Sequence, residues 1–279
     1  MKNALTELVG TKYPIIQGGM IEISLSGLVA AVSNAGGLGT LGQRGNIKQW
    51  HDEIKKTKDL TNKPFAVNIG LYMKDVKERI RIIIDEGVKV AVTGGGNPSA
   101  FVKELKDAGI ATLHVVSTSE QAKKIEAAGV DAIIAEGGES GGLVSKNIIS
   151  TLVLVPLVVD AVRVPVVAAG GIGDARGLVA CMALGAQGVQ MGTIFEASEE
   201  SSAPSEWKAG IIKARETDTI VTSNGGINAR VVKEEIHPGG IMTGQIAGMV
   251  QKVEKSADII ARIVADVAGI YNTIGAQIR

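Results

Sequence analysis

The feature that most constrains the fold of this chain is a repeated alternation of short apolar runs with amphipathic helical stretches. Such alternation is typical of parallel strands joined by helices. Three successive units share one rhythm, a helix that ends in Ala-Gly or Glu-Gly followed by a Val/Ile-rich strand: DEGVKVAV, DAGIATLHV and AAGVDAII. Eight strands are predicted in all, beginning at Pro14, Leu38, Phe65, Val88, Ala111, Ala132, Val166 and Gly188.

This repeat extends over too much of the chain for a lone dinucleotide-binding domain, and 279 residues slightly exceed the usual size of one α/β barrel. We therefore predict a (β/α)8 TIM barrel in a single domain, residues 1–279. The barrel would occupy about residues 12–214, and a C-terminal segment, 215–279, would pack on it. In that segment the pattern is irregular over Thr217–Glu235 and predicts one or two helices over Gly244–Val267.

Charge and cysteine content narrow the possible partners. The 29 basic residues balance the 29 acidic ones, so no net charge attracts nucleic acid or an anionic membrane. Cys181 is the only cysteine, which excludes an intrachain disulfide or a cysteine metal cluster and suits a reducing compartment. Because no signal peptide or membrane span was apparent, a cytoplasmic protein with a small-molecule ligand is expected.

Two glycine-rich loops are the strongest functional signal. In a TIM barrel the active site lies at the carboxyl ends of the strands, and phosphate often binds in the loops after strands seven and eight. The sequence AGGIGD, residues 169–174, follows the seventh predicted strand and opens a helix, whose free N–H groups favour an anion. Residues 190–193, QMGT, end the eighth. Either loop alone could be a simple tight turn, but the pair at this spacing predicts a phosphate site.

Other predicted strand ends carry residues that suit a flat polar ring. They include QGGM at 17–20, Asn68, TGGGNP at 93–98 and EGGESGG at 136–142. Glycines let a ring lie against the backbone, and Asn68 offers both a donor and an acceptor.

The sequence resembles the nitronate monooxygenase (2-nitropropane dioxygenase) family, which includes FMN-dependent enoyl-acyl carrier protein reductase II enzymes and NADH:quinone reductases. The resemblance rests on YPIIQGGM, AAVSNAGGLGTLG, PFAVNI, AEGGESGG, VPVVAAGGIGDARGL, GAQGVQMGT and MTGQIAGMV. It implies an FMN cofactor, with NADH or NADPH as a candidate reductant. Read together with the strand-end argument, it assigns the FMN contacts to Gly18, Gly19, Met20, Asn68, Glu136, Gly141, Gly170, Gly171, Gln190, Met191, Gly192 and Thr193.

Two departures from the family pattern affect the expected chemistry. Family members usually read Gly-Gly-His where this chain has Leu143, so the histidine that commonly acts at the flavin is replaced. The segment between Val232 and Ile241 is also short where the family usually carries a longer helical insert, which predicts a reduced substrate cover.

Two residues are candidate catalytic replacements, each with a simpler alternative. Glu136 could acquire a raised pKa and move a proton, or it could only hydrogen-bond the ring or ribityl chain. His237 could face the substrate from the shortened segment, or it could be a solvated loop residue. His114, in the middle of a strand, is expected to have a structural role.

Four functions remain open at this stage. The first is flavin-dependent oxidation of a nitronate, an anion that needs no base to be activated. The second is NAD(P)H-dependent reduction of an enoyl thioester or a quinone. The others are a flavin-binding protein with little activity of its own and a phosphate-binding barrel without flavin. The helix predicted over Gly244–Val267 could pack on the barrel or on a second copy in a homodimer.

Overall fold

Eight parallel strands form the barrel in a computed structural model that describes residues 1–278, apart from the side chain of Asn224. Their order is β1-β9-β8-β6-β5-β4-β3-β2, and a parallel bridge between Ile16 and Leu38 joins the two ends. The TIM barrel is thereby confirmed. The barrel strands are β1 Ile15–Gln17, β2 Gly39–Leu41, β3 Phe65–Gly70, β4 Val90–Gly94, β5 Ala111–Val116, β6 Ala132–Glu136, β8 Val166–Ala169 and β9 Gly188–Met191.

Helices connect these strands and form the outer layer. The predicted helix ends are confirmed at Gly87, Gly109 and Gly129, which follow α4, α5 and α6 with φ angles of 64°, 70° and 93°. Such left-handed backbone is the usual reason for glycine just after a helix. The described helices are α1 Ala4–Val9, α2 Ser26–Asn34, α3 Ile47–Leu60, α4 Val76–Asp85, α5 Ser99–Asp107, α6 Ser119–Ala127, α7 Thr151–Val159, α8 Ala175–Ala183, α9 Thr193–Glu196, α10 Ser205–Lys213 and α11 Ser256–Ile278.

Successive side chains along each strand point alternately into the barrel and outward to the helices, which gives two hydrophobic layers. Side chains such as Ile134 and Val167 fill the barrel interior, and their neighbours Ile133 and Val166 pack against the helices. Helix α1 covers one end of the barrel, because its buried Leu5 belongs to the interior cluster. The carboxyl ends of the strands lie at the opposite end and carry the loops predicted to form the site.

The prediction of an irregular segment over Thr217–Glu235 was wrong. Strands β10 (Thr219–Asn224) and β11 (Ile227–Val232) form an antiparallel hairpin there, and β11 also pairs with β7 (Gly142–Val144). Strand β7 follows the glycine-rich loop after β6, a stretch that the sequence analysis treated only as loop. The second sheet therefore covers part of the rim at the carboxyl ends of the barrel strands.

The C-terminal segment contains a 3-10 helix, Gln245–Met249, and the long helix α11, which packs on α2 and α8. One or two helices were predicted here with an end at Val267, and α11 continues eleven residues beyond that point, to Ile278. By length and composition α11 could also cross a membrane, although a single such helix is weak evidence. The expectation of a protein without a membrane span therefore stays a prediction.

Candidate functional site

Three predicted site residues lie together on the barrel floor at the carboxyl ends of the strands. Asn68, Glu136 and Gln190 each lie at or near the end of a strand whose flanking residues pack outward, so alternation turns these side chains toward the barrel axis. In the strand register Glu136 lies opposite Ala169, and Ala169 lies opposite Gln190. Three separate strands thus bring polar groups to one surface.

The loop after β8 has the form of an anion cradle. Gly170 and Gly171 have φ angles of 94° and 71°, a conformation that favours glycine. The N–H groups of Gly171, Ile172 and Gly173 have no hydrogen-bond acceptor within residues 1–278. Asp174 caps α8 by accepting hydrogen bonds from the next turn of the helix. The amides before the helix therefore remain available for a ligand anion.

The loop after β9 supplies the second half of this cradle. The N–H groups of Gly192 and Thr193 likewise have no acceptor in the described part of the chain. The Thr193 Oγ1 accepts a hydrogen bond of 2.9 Å from the Gly244 N–H and lies 3.1 Å from the Thr243 Oγ1. The C-terminal segment thereby fixes the position of the Thr193 hydroxyl.

Close backbone approaches join the loops after β6 and β8 to the C-terminal segment. A methyl group at Gly141 would lie only 2.4 Å from the Gly244 nitrogen, and one at Gly170 would lie 2.9 Å from the Gly137 oxygen. Both distances are shorter than real carbon contacts, so these positions have no room for a larger residue. The backbones of these loops are therefore in direct contact.

The loop after β1 closes the site on the other side of β9. A methyl group at Gly18 would lie 3.3 Å from the Gln190 side chain, and one at Gly19 would lie 2.5 Å from Asn68. A methyl group at Gly192 would lie 3.7 Å from the Met20 sulfur. The Gln190 Oε1 is buried without a hydrogen-bond partner among the described residues. A buried acceptor of this kind is expected to have a ligand partner.

Met191 differs from the other predicted contacts. Its side chain is buried in the outer hydrophobic layer, and its carbonyl accepts a hydrogen bond of 3.0 Å from the Gly18 N–H. Only the backbone of Met191 therefore faces the candidate site.

Glu136 is the titratable group on the floor. Burial raises the pKa of its carboxyl to about 7, and the nearby Ser140 hydroxyl opposes that rise by a smaller amount. A group with this pKa exchanges a proton near neutral pH. Glu139, by contrast, is fixed by hydrogen bonds of 3.0 Å to the Thr151 N–H and 2.9 Å to the Thr151 hydroxyl. Glu139 supports the loops, and Glu136 is the one suited to proton transfer.

The histidines and Leu143 have different surroundings. His237 lies in the turn after β11 against Gly210 of α10, with its Nδ1 buried and unpartnered within residues 1–278. This half-buried position differs from the expected solvated loop. His114 pairs with the Thr93 hydroxyl at 2.7 Å, and burial lowers its pKa to about 4, as suits a structural histidine. Leu143 is 45% exposed and pairs with Ala229 of β11.

Three residues near the site were missed by the sequence analysis. The Tyr72 ring lies against Gly70, which ends β3, and Gly95, which follows β4. Thr243 lies beside Thr193, and Glu196 ends the short helix that Thr193 begins. Tyr72 carried no motif that could have revealed it. Glu196 follows the QMGT sequence by only three residues, so its charge next to a phosphate loop was a usable signal.

The site fits a flavin mononucleotide on three observations. Two loops carry amides that have no acceptor among residues 1–278, the floor carries an unpartnered acceptor at Gln190, and glycines at several strand ends leave the backbone uncovered by side chains. The protein is thus a TIM barrel with glycine-rich loops and three polar side chains at the carboxyl ends of its strands.

The particular family follows from comparison with known proteins. A model of the nitronate monooxygenase family matches residues 2–79 and 71–265, so this chain belongs to that family of flavin oxidoreductases. The dehydrogenase of (3aS,4S,5R,7aS)-5-hydroxy-7a-methyl-1-oxo-octahydro-1H-indene-4-carboxyl-CoA from Rhodococcus jostii is 39% identical, over 90% of this chain and 71% of that protein. A probable nitronate monooxygenase from Staphylococcus aureus is 38% identical, over 84% of this chain and 80% of that protein.

Solved structures agree with this membership. FabK from Thermotoga maritima superposes with a TM-score of 0.94 at 35% identity and covers 99% of both chains. A nitroalkane oxidase from Streptomyces ansochromogenes superposes with a TM-score of 0.88 at 27% identity, over 98% of this chain and all of that one.

The staphylococcal match also bears on the predicted shortening. It extends over 284 aligned positions, but 84% of 279 residues is only about 234, so some 50 positions have no counterpart here. This chain is shorter than that relative within the matched region.

Proposed function

We propose that this protein is an FMN-dependent oxidoreductase that oxidises nitronates. The observation that carries the cofactor assignment is the pair of loops after β8 and β9, whose amides lack acceptors within the described residues and converge with the C-terminal segment. Backbone amides at a helix start bind phosphate without needing a charged side chain.

The proposed contacts divide into two groups. Gly170, Gly171, Gly192 and Thr193 would hold the phosphate. The ring and the ribityl chain would lie against the remaining contacts, which are Gly18, Gly19, Met20, Asn68, Glu136, Gly141, Gln190 and the backbone of Met191. When bound, FMN supplies the electron-transfer chemistry, and the protein supplies position, electrostatics and access.

The substrate assignment rests on what surrounds the site. Leu143 stands where the family usually has a histidine, and its side chain cannot remove a proton. A nitronate is already an anion, so its oxidation does not require that step. The family model and the staphylococcal relative, both named for nitronate monooxygenase, support the same substrate class.

A second candidate is oxidoreduction of an acyl thioester with NADH or NADPH as the electron source. Two observations favour it: the similarity to FabK, an enoyl-acyl carrier protein reductase II, and the similarity to the indene-carboxyl-CoA dehydrogenase from Rhodococcus, whose named substrate is a CoA thioester. Reduction of an enoyl thioester needs a proton for the α-carbon. Glu136, with a pKa of about 7, could donate it.

An anaerobic spectral titration distinguishes the candidates. Purified protein reconstituted with FMN is mixed in parallel with ethylnitronate, NADH and NADPH, and the flavin absorbance near 450 nm is followed. Bleaching by ethylnitronate alone supports nitronate oxidation. Bleaching by a nicotinamide, with recovery on adding crotonyl-CoA or a quinone, supports the second candidate. A flavin that none of them reduces contradicts both and favours a binding protein with little activity.

A further inference from the structure

A buried side-chain amide lies on the loop that follows β2. Gln43 is only 7% exposed, and its side chain has no hydrogen-bond partner among the described residues. A methyl group at Gly70 would lie 2.8 Å from the Gln43 Nε2. Burial of an amide without a partner costs free energy, so such a group is expected to meet a ligand.

The position of Gly70 shows where this amide lies. Ile69 packs outward in the layer against the helices, so its neighbours Asn68 and Gly70 point toward the barrel axis. The Cβ direction of Gly70 therefore leads into the site, one level above Asn68 toward the carboxyl ends of the strands. The Gln43 Nε2 lies close to that direction and thus over the mouth of the barrel.

An aromatic ring shares this place with the amide. The Tyr72 Cε1 would lie 2.7 Å from the same methyl group at Gly70, and the Tyr72 Cδ1 would lie 2.7 Å from one at Gly95. One edge of the ring is therefore a neighbour of the Gln43 amide, while more than half of Tyr72 is exposed to solvent. We call Gln43, Gly70, Tyr72 and Gly95 the Gln43 subsite. It combines a buried polar group with an apolar surface that reaches solvent.

The backbone of Gln43 is held by the loop after β1. The Glu22 N–H donates to the Gln43 carbonyl at 2.8 Å, and the Gly42 N–H donates to the Ser24 carbonyl at 2.9 Å. Glu22 has a φ angle of 60° and is the only residue other than glycine with a positive φ among the described residues. Strained backbone of this kind is common at ligand sites. The Glu22 carboxylate is occupied by the Gly45 N–H at 2.6 Å.

The chemistry of the subsite suits an oxygen anion with an apolar chain. The amide NH2 has two N–H donors, and hydrogen bonds to charged oxygens are stronger than those to neutral ones. A nitronate shares its negative charge between two oxygens and carries its alkyl chain on the adjoining carbon. Its oxygens would meet Gln43, and its chain would lie along the Tyr72 ring toward solvent.

We propose that the Gln43 subsite binds the substrate, with the Gln43 amide donating to the oxygens of a small planar anion and the Tyr72 ring packing on its alkyl chain. The proposal rests on the proposed function, because it takes the anion to be a nitronate. Gln43 is assigned to substrate binding, and FMN affinity should not depend on it.

The test measures binding without turnover. Propionate has the shape of ethylnitronate, with the same planar end of two oxygens, but it does not reduce flavin. Propionate is titrated into the FMN-loaded protein by isothermal titration calorimetry. Gln43→Leu keeps the side-chain volume and removes both donors. We expect it to bind propionate about 10- to 100-fold more weakly, the range of one charge-assisted hydrogen bond.

Two further variants control this comparison. Gln43→Glu keeps the shape but places a negative charge against the anion, so its loss should be at least as large. Gln277→Leu makes the same substitution at an exposed position near the end of α11 and should bind propionate like the intact protein. For ethylnitronate, the KM of Gln43→Leu should rise by the same factor, while kcat changes by only a few-fold. The FMN dissociation constant should be equal in all of these proteins.

The outcomes separate this proposal from the proposed function. Equal propionate affinities for the intact protein and Gln43→Leu, or no binding of propionate to the intact protein, would overturn the subsite. Weaker FMN binding by Gln43→Leu would place the amide among the cofactor contacts and would also overturn it. Binding of propionate that depends on Gln43, without reduction of the flavin by ethylnitronate, would uphold the subsite and refute nitronate oxidation. Thermal unfolding identifies a variant that fails to fold, and the other Gln43 variant then decides.

Discussion

The rim of the barrel has two sides of different construction. The phosphate side comprises the loops after β6, β8 and β9 with residues 241–250, and the entrance side comprises the loops after β3 and β4. On the phosphate side the nearest atoms to a methyl group at Gly141 would be backbone atoms of Thr243 and Gly244. On the entrance side the atoms closest to Gly95 belong to the Tyr72 ring, which is 58% exposed.

This difference shows how one fold can keep a cofactor and change its substrate. Backbone contacts on the phosphate side cannot relax by a change of rotamer, so a substitution there disturbs several loops at once. Side chains on the entrance side can move or be replaced at small cost. We therefore expect cofactor binding to depend on the phosphate side and substrate selection on the entrance side.

The largest expected effect on FMN affinity comes from Gly141→Ala. Its methyl group would lie 2.4 Å from backbone atoms, so the loop after β6 must shift away from the C-terminal segment. Overpacking of this kind costs about 1–3 kcal/mol or more, and FMN should bind about 100-fold more weakly in fluorescence titrations. Gly94→Ala is the matched control, because its methyl group would be in ordinary contact at 3.6 Å. Equal FMN affinities for the two variants would contradict the contrast between the two sides.

Glu136→Gln separates the two candidate chemistries. If Glu136 donates a proton, the variant should reduce an enoyl thioester about 100-fold more slowly, within the usual range of general acid catalysis. Nitronate oxidation should change by only a few-fold, because it needs no such proton. Single-turnover kinetics with each substrate measure the two rates. A large loss on nitronate alone would show that Glu136 acts differently.

Glu196 should influence stability as a function of pH. Its pKa is 4.5 unfolded and about 8 folded, so between these values the folded state binds the extra proton. Its contribution is therefore full below pH 4.5 and declines as pH rises to 8. Thermal unfolding should show that Glu196→Gln loses less stability than the intact protein from pH 5 to 8, by roughly 4–8 °C. Parallel curves for the two proteins would exclude a titrating Glu196.

The smallest effect is expected from Tyr72→Leu on the entrance side. Loss of the ring should change the KM for substrate by a few-fold, since an exposed aromatic contact contributes about 0.5–1.5 kcal/mol. The FMN dissociation constant should stay the same, and Tyr72→Phe should behave like the intact protein. A substantial loss of FMN from Tyr72→Leu would mean that the ring supports the cofactor.

Local features of the sequence predicted the barrel well. The eight strands and the helix ends at Gly87, Gly109 and Gly129 depend on period and on backbone conformation, which neighbouring residues determine. Strand β7 was missed because its pairing with β11 joins segments more than 80 residues apart. That pairing is what turns the loop after β6 into part of a second sheet. The β10–β11 hairpin is local, and its two-residue Gly225-Gly226 turn was a usable signal that was overlooked.

Part of the candidate site could also be predicted from the sequence. Glycine loops at strand ends and the alternation at Asn68, Glu136 and Gln190 follow from fold and period, so their meeting could be foreseen. The contact between the Thr243 and Thr193 hydroxyls could not, because Thr243 lies 50 residues from Thr193 in the sequence. The half-buried position of His237 against Gly210 likewise depends on tertiary packing.

The most direct test of the central claim compares FMN with riboflavin at pH 7. The two ligands share the ring and the ribityl chain, so their difference in affinity isolates the phosphate. A cradle of several amides predicts that FMN binds at least about 100-fold more tightly, since each charge-assisted hydrogen bond contributes about 1.5–3 kcal/mol. Equal affinities, or no binding of either ligand, would contradict a phosphate site formed by the loops after β8 and β9.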